Sequence, residues 1–119
     1  MSVSQEVSKD GKKVQISITG RFDYKVSQAF RDSYRRLPGQ DSVSYYVDLS
    51  EAVYMDSSAL GMLLLLREHA KSRGGSVFIE RPSKQIDNIL KVANFEQLFT
   101  INYTCPISQV SGERAGVGR

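Results

Sequence analysis

Apolar residues recur along this chain with two periods, and the changes of period divide it into elements. Val14, Ile16 and Ile18 alternate with Gln15, Ser17 and Thr19, the two-residue period of a strand buried on one face. Val3 and Val7 flank a polar stretch that reads as a short edge strand, and Asp10-Gly11, between that strand and the one at Val14 to Ile18, is a hairpin turn signal. Gly20 is read as the end of the second strand. From Tyr24 to Leu37 the period lengthens. Val26, Ala29, Phe30, Tyr34 and Leu37 fall three and four apart, which predicts an amphipathic helix stopped by Pro38-Gly39.

The two-residue period returns at Val43, Tyr45, Val47 and Leu49, with Asp48-Leu49-Ser50 closing a central strand and Ala52-Val53-Tyr54 as a short connection. A second helix is predicted from Ser57 to Arg73, ended by Gly74-Gly75 through a left-handed cap. Val77-Phe78-Ile79 reads as a short buried strand. Pro82-Ser83 opens a third helix lined by Ile86, Ile89, Leu90, Val92 and Ala93, and Phe95 to Ile101 supplies a last turn and a final strand. Strands joined by single helices are parallel neighbours with right-handed crossovers. The expected fold is therefore α/β: one small domain from Met1 to Cys105, with a mixed, mostly parallel sheet, an N-terminal antiparallel hairpin and helices packed on it. Pro106 to Arg119, rich in Ser, Gly and charge, is expected to be a flexible tail.

The second helix holds the most information. Asp56-Ser57-Ser58 precedes its apolar run, and Asp and Ser there are N-cap residues whose oxygens accept the free N–H groups of the first turn. At about 100° per residue, Ala59, Leu63, Leu66 and Ala70 share one face, widened by Leu60 and Leu64. Ser58, Met62, Leu65 and His69 form a neighbouring stripe, with Gly61 beside them. Two readings of this stripe are open: a helix buried nearly all round, or an exposed apolar patch that marks a docking site. Gly61 favours the second, since glycine within a helix costs about 1 kcal/mol relative to alanine.

Composition removes several function classes. A chain of 119 residues supports one core and not two. The net charge of +3 is scattered in ones and twos, as at Lys12-Lys13 and Arg35-Arg36, so no direct nucleic-acid partner is expected. Met1 to Glu6 lacks the features of a signal peptide, and the run Met62 to Leu66 is far short of the roughly 20 residues of a membrane span. The single cysteine, Cys105, forms no internal disulfide, which fits a cytoplasmic protein with no membrane insertion. Serine catalysis needs a base, and the only histidine, His69, lies roughly 16 Å along the helix axis from Ser58. No enzyme, no cofactor and no metal site is expected. Capping and turn chemistry accounts for Asp23, Asp48 and Asp56 from the residues alone.

Taken together, Tyr45-Tyr46-Val47-Asp48-Leu49-Ser50 and Met55-Asp56-Ser57-Ser58-Ala59-Leu60-Gly61 resemble the signature of the STAS domain family. That family includes bacterial anti-sigma factor antagonists and the cytoplasmic domains of sulphate transporters. Gly20-Arg21-Phe22-Asp23 resembles its Gly-x-x-Asp before the first helix, and the similarity runs from Val3 to Thr104. The resemblance implies an anti-sigma factor antagonist that works by partner switching. An anti-sigma factor with a serine kinase fold would phosphorylate Ser58, with Ser57 the lesser candidate, and a serine phosphatase would restore it. It implies partner contacts at Asp23, Asp56, Ser57, Ser58, Gly61, Met62 and Leu65. The alternative within the same resemblance is an accessory subunit of a lipid or anion transport complex, in which Ser58 is a contact residue and never modified. Two positions depart from the family. Ala59 stands where a glycine is common, and its methyl is expected to crowd a closely approaching kinase. The segment after Pro106 lacks the pattern of the family's last helix.

Overall fold

The computed structural model describes residues 2–35 and 41–103. The strands are β1 (Ser2–Val7), β2 (Lys13–Phe22), β3 (Ser44–Met55), β4 (Ser76–Glu80) and β5 (Thr100–Asn102). The helices are α1 (Ser27–Arg35), α2 (Ser57–Ser72) and α3 (Lys84–Val92), with short 3-10 turns at Tyr24–Val26 and Phe95–Gln97. The five strands form one sheet in the order β1-β2-β3-β4-β5. β1 pairs antiparallel with β2, and every later pair is parallel. The α/β fold with an N-terminal hairpin is thus the one expected. Each parallel crossover steps one strand further in the same direction, so the right-handed rule sets α1, α2 and α3 on one face of the sheet. Val14, Ile16 and Ile18 of β2 point into that layer and are buried, whereas Lys13, Gln15 and Thr19 face outward.

Two expected strand ends were placed too early. β2 does not stop at Gly20 but runs to Phe22, and β3 does not close at Ser50 but runs through Ala52-Val53-Tyr54 to Met55. The register shifts twice, between Ser17 and Thr19 and between Gly20 and Arg21. In each shift β3 spends one residue more than β2, which is a bulge. Gly20 sits at φ +88, a conformation open to glycine at little cost, so it bends the strand without ending it. The extension matters because it brings Phe22 and Met55 opposite each other, so that Asp23 and Asp56 leave the sheet side by side.

The core fills the space between sheet and helices. Phe22, Phe30, Tyr34 and Tyr45 make a chain of ring contacts with successive centroid separations of 5.3, 5.8 and 6.3 Å. The end of α2 is built as expected, with Gly74 at φ +73 after the cap residue. Gly75 is needed for a different reason: a β-carbon there would lie 2.1 Å from the Val43 carbonyl oxygen. Three apolar assignments fail. Val92, read as lining α3, is 86% exposed because it closes the helix on the far side from Ile86 and Leu90. Ala29 and Leu64, placed on buried faces, are exposed. The Pro38-Gly39 stop, Cys105 and the tail from Pro106 lie outside the described residues.

Candidate functional site

The N-terminus of α2 is built around one carboxylate. Asp56 has extended backbone (φ −116, ψ −174) and its Oδ1 accepts the Ala59 N–H at 3.1 Å, so it is the N-cap. The same oxygen accepts the Ser58 hydroxyl at 2.6 Å. The Ser58 hydrogen bond, joined by the Ala59 and Ser58 backbone N–H groups, holds the Asp56 carboxyl below the usual carboxylate range. Such a carboxylate is a poor base. It orients the serine hydroxyl without activating it as a nucleophile. Ser57 is exposed and Ser58 half-buried. Ala59 is fully buried, so its methyl belongs to the core and does not face an approaching partner. The expected crowding at Ala59 is therefore corrected.

Asp23 occupies the matching place after β2. Its Oδ1 accepts the Lys25 N–H at 3.1 Å, capping the turn at Tyr24–Val26, and its Oδ2 accepts from Arg21 Nε at 3.3 Å. Asp23 itself is only 4% exposed. The outward member of the pair is Arg21, whose guanidinium also lies 4.1 Å over the Tyr54 ring. The Asp56 N–H donates to the Phe22 carbonyl at 3.4 Å, which ties the two aspartate turns together. Tyr24 and Val53 stand exposed beside them. Arg21, Tyr24, Val53 and Tyr54 were not among the expected contacts, and the strand ends were drawn short of Arg21, Val53 and Tyr54.

The stripe on α2 divides. Met62 is 5% exposed and belongs to the core, so of the two readings left open for the stripe the buried one holds at Met62, where the resemblance implied a partner contact. α1 packs alongside α2, and angular bookkeeping on one helix does not see that neighbour. Leu65, 54% exposed, remains outside, as does Leu64. His69 is half-buried, its ring 4.9 Å from Tyr34 and 6.0 Å from Tyr45. Burial, with Arg73 and Arg35 nearby, pushes its pKa down. A methyl at Gly61 would meet nothing within 4 Å, so no backbone among the described residues requires the glycine. Asp23, Asp56, Ser57, Ser58, Gly61 and Leu65 thus surround the start of α2 and its outer side, with Met62 beneath them. Among the described residues no group of three or more His, Cys, Asp or Glu is placed to hold a metal ion. No helix among them is long and apolar enough to cross a membrane.

Comparison with known proteins gives the family and the fold. Residues 6–101 match the family described as "Mlab, STAS domain". The chain is similar to a STAS-domain containing protein of Pseudomonas aeruginosa strain UCBPP-PA14, being 45% identical over 102 residues that cover 86% of this chain and 100% of that one. It is 22% identical to the anti-sigma-B factor antagonist of Bacillus subtilis strain 168, over 86% of this chain and 93% of the other. Among solved structures, that of the anti-sigma factor antagonist SpoIIAA in its unphosphorylated form superposes with a TM-score of 0.69 at 18% identity, covering 94% of this chain and all of that one. At that identity the likeness speaks for the fold.

Proposed function

The chain belongs to the STAS domain family, related to anti-sigma factor antagonists, and we propose that it is a cytoplasmic regulatory binding module, controlled by phosphorylation of Ser58 and without catalysis of its own. One observation carries the reading. The Ser58 hydroxyl stands half-buried at the mouth of a 16-residue helix, oriented by the Asp56 carboxylate at 2.6 Å. A kinase-type anti-sigma factor would transfer the γ-phosphoryl group of its ATP to Ser58 Oγ, its own base taking the hydroxyl proton and ADP leaving. A serine phosphatase would hydrolyse the ester and return the hydroxyl.

The phosphate adds about −1.5 to −2 charges. The helix dipole and the free N–H groups of the first turn favour it, so the fold tolerates the change. The modification also removes the proton that Ser58 donates to Asp56, leaving the phosphate beside a carboxylate. The pair turns apart, and the added charge faces the partner. Like charges brought together across an interface cost several kcal/mol, or roughly 100-fold and more in affinity. Gly61 supports the same face: its helix cost of about 1 kcal/mol has no return among the described residues, and it leaves room for a partner backbone.

The test is intact mass after incubation with ATP and a kinase-type anti-sigma factor. Wild type is expected to gain one phosphate and Ser58→Ala none; a gain that persists in the variant would remove Ser58 from the mechanism. Ser58→Asp is expected to keep its thermal melt and to lose the partner in a pull-down. The accessory-subunit alternative rests on the Ser58 hydroxyl already having an acceptor and needing no modification. Wild type that takes no phosphate yet copurifies with a transport ATPase or permease decides for it.

A further inference from the structure

A second recognition feature lies along the same helix. A groove of about 310 Å³ runs between α1 and α2, lined by Arg31, Tyr34, Arg35, Leu65 and His69. Its two walls differ in chemistry. Arg31 and Arg35 stand one turn apart on α1, and Leu65 and His69 one turn apart on α2. Tyr34, 2% exposed, is the floor, with its ring against His69. His69, whose pKa is pushed down by burial and by Arg73 and Arg35, presents a neutral ring near neutral pH. The groove is therefore cationic on one side and apolar on the other, each with the repeat of a helical turn.

We propose that this groove docks an acidic amphipathic helix of the partner protein. Its apolar stripe lies on Leu65 and the Tyr34–His69 ring pair, and carboxylates one turn apart meet Arg31 and Arg35. Charge complementarity selects this occupant. The inference deepens the proposed switch and rests on it for its regulatory part. Ser58 is seven residues before Leu65, about 10.5 Å along the axis, so an acidic helix continuing past Leu65 comes up against a phosphate on Ser58. The acidic groups that a charge-driven release requires are thus those that the arginines recruit.

The measurement is fluorescence anisotropy of a labelled synthetic helix of about 15 residues, with leucines on one stripe and glutamates flanking it. A control peptide carries lysines in place of the glutamates. The acidic peptide is expected to bind, and to bind about tenfold more weakly in about 0.5 M salt. Arg31→Glu with Arg35→Glu, and separately Leu65→Asp, are each expected to weaken it about tenfold or more, while the milder Arg31→Gln with Arg35→Gln gives an intermediate loss. The lysine peptide is expected not to bind. Equal binding of both peptides, no binding of the acidic one, or full binding by the charge-reversed variant with an unchanged circular dichroism melt overturns the groove. Ser58→Asp separates the two ideas. If the acidic peptide binds wild type and Ser58→Asp alike, the groove stands and its link to the switch falls; if Ser58 takes phosphate but no acidic peptide binds, the switch stands and the groove falls.

Discussion

Asp56 accepts two hydrogen bonds with one oxygen, and its replacement separates their effects. Asp56→Ala is expected to cost about 1 kcal/mol by urea denaturation, the ordinary price of a lost N-cap, while Asp56→Asn retains most of that. Because its folded-state pKa is lowered, Asp56 contributes stability that is present above the ordinary value of 3.8 and is lost as pH falls through the folded value. Asp56→Asn should flatten that acid limb in a pH series of melts. His69 has the opposite charge type. Tyr34, Tyr45, Arg35 and Arg73 surround it, and its folded pKa is also lowered. The unfolded chain takes up a proton near 6.5 before the folded chain does, so stability declines as pH drops below 6.5 toward the folded value. His69→Gln is expected to remove that decline; a melt series indistinguishable from wild type between neutral and mildly acid pH counts against the burial argument.

At the scale of the element, α2 carries two glycines' worth of contrast at its start and just beyond its end. Gly61 has open space around it, and alanine there should raise stability by up to about 1 kcal/mol through helix propensity. If the partner backbone approaches at that point, the same change weakens partner binding even as the melt rises. Gly75 has no such room, since a β-carbon would strike the Val43 carbonyl. Gly75→Ala is expected to cost about 2 kcal/mol or more, because backbone and not a flexible side chain must yield. The helix as a whole was legible in the sequence: the cap at Asp56, the buried Ala59, Leu63, Leu66 and Ala70, and the glycine stop all stand where the pattern put them. Met62, on the stripe that two readings left open, is buried, and Leu64, placed on the core face, is exposed, because burial on a helix depends on its neighbours.

Across the whole molecule, three helices on one sheet face leave the ends of β2 and β3 as the place where Asp23, Asp56 and Ser58 gather. The opposite edge is held by polar clips. Arg81 pairs with Asp48, Asn102 donates to Glu80, and the Tyr103 hydroxyl donates at 2.9 Å to Asp87, which also pairs with Lys91 at 3.0 Å. Asp87 is only 8% exposed, so losing one of its partners matters. Tyr103→Phe is expected to cost about 1 kcal/mol and to speed amide exchange in β5 first, while leaving the partner binding proposed at the start of α2 unchanged. Uniform exchange along the sheet would show that this clip does not hold the edge.

Local pattern determined a good deal here. Periods of two and of three to four residues set the order of strands and helices, because an element shows its buried face in its own sequence. The Asp-Ser-Ser motif set the cap and the serine at its side, since capping involves only residues within one turn. Tertiary structure alone decided the rest. It carried β2 and β3 past Gly20 and Ser50, because bulges are made by the pairing of two strands and not by either one. It buried Met62 and left Leu65 outside, because exposure on a helix depends on which neighbour packs against it. It turned Asp23 inward and Arg21 outward, and it set Arg31 and Arg35 across from Leu65 and His69. Residues so far apart in the chain meet only through the fold.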